Sequence, residues 1–174
     1  MAKSSLIEFQ GRLAARLQGA QHTRSESRWL AVSAGTHRLL LPLAQSGEIA
    51  SWEAPTPLPH AHAWFAGLLN LRGVLCGIVD LAGFLGDAPP ADAQPRGGAH
   101  SRLVQFSPRL EINCALLVDQ LAGLRMPSQF TGESAATDPD RPWLGPPLRD
   151  SAGHTWHELN LALLAQDTRF LQVV

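Results

Sequence analysis

Cysteine is scarce in this 174-residue chain: Cys76 and Cys114 are the two, each inside an apolar run. A Cys-x-x-Cys pair and a Cys/His cluster at zinc spacing are both missing, so neither a disulfide framework nor a structural zinc site organises the fold. Buried, reduced thiols in a cytoplasmic protein are the expectation. Charge is scarce as well. Charged residues make up 17% of the chain, against about 25% in ordinary domains, and a surface short of charge suits contact with other proteins. Fourteen basic residues face fifteen acidic ones, for a net charge of −1. No basic stripe interleaves with aromatics, which removes nucleic acid from the expected partners. No apolar stretch approaches the ~20 residues that span a bilayer, and the N-terminus lacks the apolar centre of a secretory signal. Direct membrane insertion is therefore not expected. Gly-x-Ser-x-Gly and phosphate-loop patterns are absent too.

What is present reads as short strands. Residues 4–18 are the exception. Ser5 and Glu8 make a capping box, Leu6, Phe9, Leu13 and Leu17 recur at helical spacing, and Gly19 stops the run. The pattern predicts an N-terminal helical extension over 1–20, packed on its own domain or docked on a partner. From Arg28 the period changes to two. Strands are expected at 30–34, 39–43 and 48–52, with Pro42 at an edge or a bulge. A Pro-rich stretch over 55–59 and a helical turn over 60–65 follow. Two apolar runs, 67–70 and 74–79, are joined by a tight connection at Leu71-Arg72-Gly73. Asp80 and Gly86 are the expected caps of a short helix over 81–85. Residues 87–101, rich in Ala, Pro, Gly and Asp, predict a surface loop and a lobe boundary. Beyond it, strands are expected at 103–106, 112–118, 121–126 and 170–174, a loop over 127–142, and a short helix or turn region over 156–164, near Asn160. Eight to ten short strands with turns between them indicate an all-β barrel or sandwich.

An enzyme reading rests on histidine. His60-Ala61-His62 puts two imidazoles on one face if extended, Asp80 could add a third ligand, and His154 and His157 stand at i, i+3. A zinc hydrolase needs three such ligands and an open position for water. No acid follows His60 and His62 at close spacing to act as base, and no nucleophile–base pair is identifiable. No enzyme activity, no metal and no cofactor are the expectation.

One run carries more. Gly67-Leu68-Leu69-Asn70-Leu71-Arg72-Gly73, an apolar strand over 74–79, Asp80-Leu81 and Phe84-Leu85-Gly86 follow one another. This run resembles the signature of CheW-like domains. Leu41-Pro42-Leu43 with Glu48-Ile49 looks like the family's earlier strand pair. Leu116-Leu117-Val118-Asp119 with Leu121 and Gly123 is similar to its second-lobe element, and Leu159–Leu164 with Phe170-Leu171 to its closing pattern. The elements occur in the family's order across 28–174. Gly77 stands where many members have a proline. The N-terminal extension and the tryptophan-rich character resemble the PilI-type adaptors of the type IV pilus chemosensory system; a CheW-type coupling protein of flagellar chemotaxis is the alternative.

The resemblance implies two small five-stranded β-barrels packed side by side and no catalysis. It implies an adaptor between a methyl-accepting chemoreceptor, bound at its cytoplasmic hairpin tip, and the regulatory domain of a CheA-type histidine kinase, in control of twitching motility. Its partner-binding residues would be Glu48, Ile49, Asn70, Leu71, Arg72 and Gly73. Arg72, in a turn between two strands, is either a solvated charge or a planar fork aimed at a partner's carboxylate or carbonyl groups. Glu48 either pairs with Arg72 or binds the receptor. Gly67 and Gly73 fit backbone of positive φ or close approach, and Asn70 suits a turn. Asp80 reads as a helix cap, Asp119 as a strand-end turn residue, and Trp29, Trp52, Trp64, Trp143 and Trp156 as core or interface anchors.

Overall fold

Leu103, Val104 and Phe106, and all five residues Cys114–Val118, are buried. A strand apolar on both faces needs a core on each side, and the fold supplies one. The computed structural model describes residues 28–87, 97–132 and 138–174. The helix expected over 4–18 and residues 88–96 of the expected loop lie outside them. The strands are β1 (Trp29–Ala34), β2 (His37–Pro42), β3 (Ser46–Ser51), β4 (Phe65–Leu71), β5 (Val74–Asp80), β6 (Arg102–Phe106), β7 (Cys114–Val118), β8 (Gln120–Arg125), β9 (Phe130–Gly132), β10 (Leu144–Asp150) and β11 (Thr155–Leu159). Among the described residues, three short α-helices accompany them: α1 (Leu81–Leu85), α2 (Leu161–Leu164) and α3 (Thr168–Leu171). One sheet runs β8-β1-β2-β11-β10-β9 and the other β3-β6-β7-β5-β4.

Alternation along each strand divides the apolar residues among three cores. Leu30, Val32, Leu39, Leu41, Val104, Leu116 and Val118 meet between the sheets, with Trp143 and the helix residues Phe84, Leu161 and Phe170. The alternate residues turn inward within each sheet. Leu103, Ala115, Leu117 and Ile78 line the five-stranded sheet, and Trp29, Ala31, Leu40 and Trp156 line the six-stranded one. Cys76 and Cys114 fall on different cores and are free, as expected of buried thiols. Burial pushes the Cys114 thiol up to about 12 and raises that of Cys76.

The expected pair of five-stranded barrels needs correction: the sheets have six and five strands, and neither closes by a continuous ladder among the described residues. In the six-stranded sheet the outer strands β8 and β9 are consecutive in the chain. The five steps from Arg125 to Phe130 reach ~17 Å at most, whereas a flat six-stranded sheet holds its outer strands ~24 Å apart. The sheet therefore curls. Rings fill the remaining gap, Phe130 standing edge-on to Trp29 at 5.7 Å and to Trp156 at 6.3 Å. In the five-stranded sheet the chain beyond β3 meets β4 in one bridge, where Thr56 and Leu68 each donate a backbone N–H to the other's carbonyl at 2.8 Å.

The lobe boundary is expected at 87–101. That stretch joins β5 and α1 to β6, and β5 and β6 belong to the same sheet. Its composition marks a surface connection but says nothing about which sheet receives the next strand. The chain changes sheet between β2 and β3 and again at Asp119, between β7 and β8. Asp119 fastens the second crossover: its N–H donates to the Ser33 carbonyl at 2.8 Å, and its Oδ2 accepts the Gly35 N–H at 2.6 Å. From the other side, Asp87 Oδ2 accepts the Thr36 N–H at 2.9 Å. Gln45, at the first crossover, accepts the Leu161 N–H at 2.7 Å.

Other departures are local. The strand expected at 170–174 is helix α3, because Asp167 accepts the N–H groups of Arg169 and Phe170 and turns Phe170 into the core. Strand β10 was unassigned by pattern because it holds Pro146 and Pro147, which it accommodates through a shift of register between Leu144 and Pro147. Pro42 ends β2 rather than marking an edge. The helical turn expected over 60–65 is an irregular connection from which β4 begins at Phe65. Asp80 occupies the N-cap position of α1 without a side-chain capping bond, whereas Gly86 ends that helix at φ 105. Gly77 lies in regular strand, where a Cβ would come within 3.0 Å of the Phe65 ring.

The β10–β11 hairpin is organised by Asp150. Its carboxylate accepts the Trp156 indole N–H at 2.9 Å, the Ala152 N–H at 3.0 Å and the His154 N–H at 2.9 Å. Led by the Trp156 bond, these lower its pKa to about 2, below the ~3.9 of an unfolded chain. A depressed carboxylate contributes stability that is complete above the unfolded value and lost as pH falls through the folded one. Melting of the wild type is therefore expected to weaken between about pH 4 and pH 2. Asp150→Asn removes that part of the slope, which acid titration followed by near-UV circular dichroism measures; an unchanged slope would assign it to other carboxylates.

Candidate functional site

Strands β4 and β5 form an antiparallel hairpin whose last pair is Leu71 with Val74. Arg72 and Gly73 alone make the loop, with φ of 51° and 88°. Positive φ at both loop residues is the geometry that matches the twist of the flanking strands. Gly adopts it freely and Arg at a cost. Asn70 helps to hold the turn, its Oδ1 accepting the Gly73 N–H at 2.7 Å. The backbone is thus fixed while the Arg72 side chain, 82% exposed, extends into solvent.

Arg72 Nη2 lies 2.8 Å from Glu48 Oε1. Glu48 is on β3 and Arg72 caps β4–β5, so the pair spans the outer strands of the five-stranded sheet. Next to Glu48, Ile49 is exposed, as are Val74 and Leu75 just beyond the turn, Leu75 at 59%. A polar pair between uncovered apolar side chains is the composition of a protein-contact surface. Of the six expected site residues, the structure brings Glu48, Ile49, Asn70, Arg72 and Gly73 to one end of the sheet. Leu71, at 8% exposed, packs against Cys76, Ile78 and Leu117 and anchors the turn from inside. Val74 and Leu75 were missed as surface residues, although an apolar run that starts at the free end of a hairpin has nothing to cover it.

The histidines do not converge. His62 stacks on Trp64 at 5.4 Å, His154 Nδ1 lies 3.3 Å from Asp150, and His157 Nδ1 bonds the Gly145 carbonyl at 2.9 Å. Among the described residues, no three His, Cys, Asp or Glu side chains form a group that could hold a metal ion. The His60/His62 hydrolase reading loses its geometry. No helix among the described residues is long and apolar enough to cross a membrane.

Residues 28–168 match the model of the CheW-like domain. The chain is 30% identical over 115 residues, 66% of its length, to Protein PilI of Pseudomonas aeruginosa, covering 61% of that protein. It is 37% identical over 68 residues to the chemotaxis protein CheW of Rhizobium meliloti, covering 38% of this chain and 44% of that protein. The matched stretches thus span less than two thirds of these relatives. Among solved structures, the scaffolding protein TtCheW from Thermoanaerobacter tengcongensis superposes with a TM-score of 0.62 at 16% identity, over 78% of this chain and 85% of that one. Because that family model covers most of its length, the chain belongs to the CheW-like domain family.

Proposed function

We propose that the protein is a non-catalytic adaptor that joins the regulatory domain of a CheA-type histidine kinase to the cytoplasmic hairpin tip of a chemoreceptor, on the cytoplasmic side, in the system that controls type IV pilus twitching motility. The observation that carries this reading is the rigid turn at Arg72, with its Glu48 partner and the uncovered apolar residues Ile49, Val74 and Leu75, in a chain of the CheW-like family. Adaptor binding needs shape, apolar area and a few oriented polar groups, and no reacting centre. Likeness to a PilI protein over 66% of the chain supports the pilus assignment. Coupling in flagellar chemotaxis is the second reading, favoured by the relatives named as chemotaxis proteins CheW.

Co-sedimentation tests the coupling itself. Membranes carrying the chemoreceptor are expected to pellet the kinase only when this protein is added. Kinase that pellets equally without it would contradict the adaptor role. Deleting the protein in the cell separates the two outputs: loss of twitching with intact swimming fits the pilus system, and the reverse fits flagellar chemotaxis.

A further inference from the structure

Glu158 breaks the pattern of the strand that carries it. It shares a face of β11 with Trp156, two residues back, and pairs with Leu40 of β2. Trp156 and Leu40 belong to the core inside the six-stranded sheet, with Trp29 and Leu148. A carboxyl group therefore sits half-buried at the margin of an apolar interior. Burial raises its pKa, and none of the ion pairs formed among the described residues involves it. The Trp29 indole N–H offsets part of that rise, yet its Nε1 is buried and stops short of a formed hydrogen bond. A carboxylate in such surroundings is costly unless a cation joins it.

Beside Glu158 the surface opens into a cleft of about 290 Å³, walled by Trp29, Pro142, Trp143, Pro146 and Leu148. Its other polar side chains are engaged. Asn160, also in the wall, uses its Oδ1 to accept the Leu163 N–H at 3.1 Å, and Trp143 donates its indole N–H to Asp167 at 2.9 Å. The cleft thus offers an incoming group apolar walls and one acid. We propose that it binds a single positive charge on a short alkyl stem, a guanidinium or an ammonium, with the head paired to the Glu158 carboxylate and the stem against the prolines and tryptophans. The volume falls just below the ~300–1,000 Å³ of pockets for drug-sized ligands, room for one such group. Alkyl stems of basic groups cover apolar surface while their heads stay paired, and indole rings attract cations. The cleft is built from β1, β10 and β11, on the other sheet from Glu48 and Arg72, so it is separate from the turn described above.

Two-dimensional NMR of the labelled full chain tests this through the Trp29 indole N–H, which neighbours Glu158. Butylguanidinium is the probe, and butylurea, its uncharged isostere, is the control. Butylguanidinium is expected to move that resonance along a saturable curve with half-saturation at or below about 1 mM, and butylurea to bind at least tenfold more weakly. Glu158→Gln, which keeps the shape of the side chain, is expected to lower the affinity for the cation at least tenfold. Absence of a saturable shift would overturn the proposal, as would equal affinity for the two probes in the wild type or unchanged affinity in Glu158→Gln. The comparison of probes on the wild type decides the matter even where the variant fails to fold. The peptide acetyl-Gly-Arg-Gly-amide separates the sources of the cation. Affinity at least tenfold above that of butylguanidinium assigns the cleft to an arginine of a partner protein, and equal or lower affinity to a free small cation. Neither kinase nor receptor enters the assay, so its outcome is independent of the adaptor reading.

Discussion

Arg72→Glu is expected to weaken binding of the kinase regulatory domain or of the receptor hairpin at least tenfold, about 1.4 kcal/mol, in a protein that still folds. The side chain is 82% exposed and pairs with Glu48 at 2.8 Å. An exposed pair of this kind is worth about 0–1 kcal/mol, which shifts the melting midpoint of a chain this long by only about 2–4 °C. Binding is different, because an arginine fork at the centre of a desolvated contact is a common hot spot. The charge swap Glu48→Arg with Arg72→Glu separates the two roles. It rebuilds the local pair with reversed polarity, so stability is expected to return while affinity stays low. Affinity restored by the swap would reduce Arg72 to a local structural role.

Gly67→Ala is expected to cost on the order of 3 kcal/mol in stability, the sum of backbone strain and a displaced strand. Gly67 has φ 134°, and a Cβ there would stand 2.1 Å from the Thr56 carbonyl oxygen. Thr56 and Leu68 form the bridge between the chain beyond β3 and β4, so relieving the clash separates the sheet edges that Glu48 and Arg72 span. Gly73→Ala is the control. Its φ is 88° but nothing lies within 4 Å of the added carbon, so strain alone acts, about 1 kcal/mol. Denaturant unfolding of the two variants side by side measures the difference, and equal losses would contradict the role given to Thr56.

These two glycines illustrate what was legible in the sequence. Gly67, Gly73 and Gly86 were marked by position within a recognisable run, and all three have positive φ. The strands were legible where polar and apolar residues alternate, as at Leu30, Val32 and Ala34. Sheet membership was not, because period two tells which residues share a face but not which sheet provides the partner strand. The crossover at Asp119 therefore reads in the sequence as an ordinary turn. Strand β10 was hidden by its two prolines, and α3 by its brevity, since four residues show no helical period. At the candidate site, Arg72 and Glu48 stood out through the family's pattern. Their contact depends on the curl that brings β3 towards β4, which local sequence does not encode. The direction of Leu71 was not legible, because an apolar residue beside a turn can face either way; its pairing opposite Val74 and its packing with Cys76 show that it faces inward.

The most direct test of the account is a binding footprint. Backbone amide resonances of the labelled protein would be followed while the kinase regulatory domain, and separately the receptor hairpin, is added. The account predicts that with at least one of them the largest shifts fall on residues 48–49 and 70–75, at the end of the five-stranded sheet. Binding whose shifts leave those residues untouched with both partners would contradict the assignment of the Arg72 turn as the site of contact.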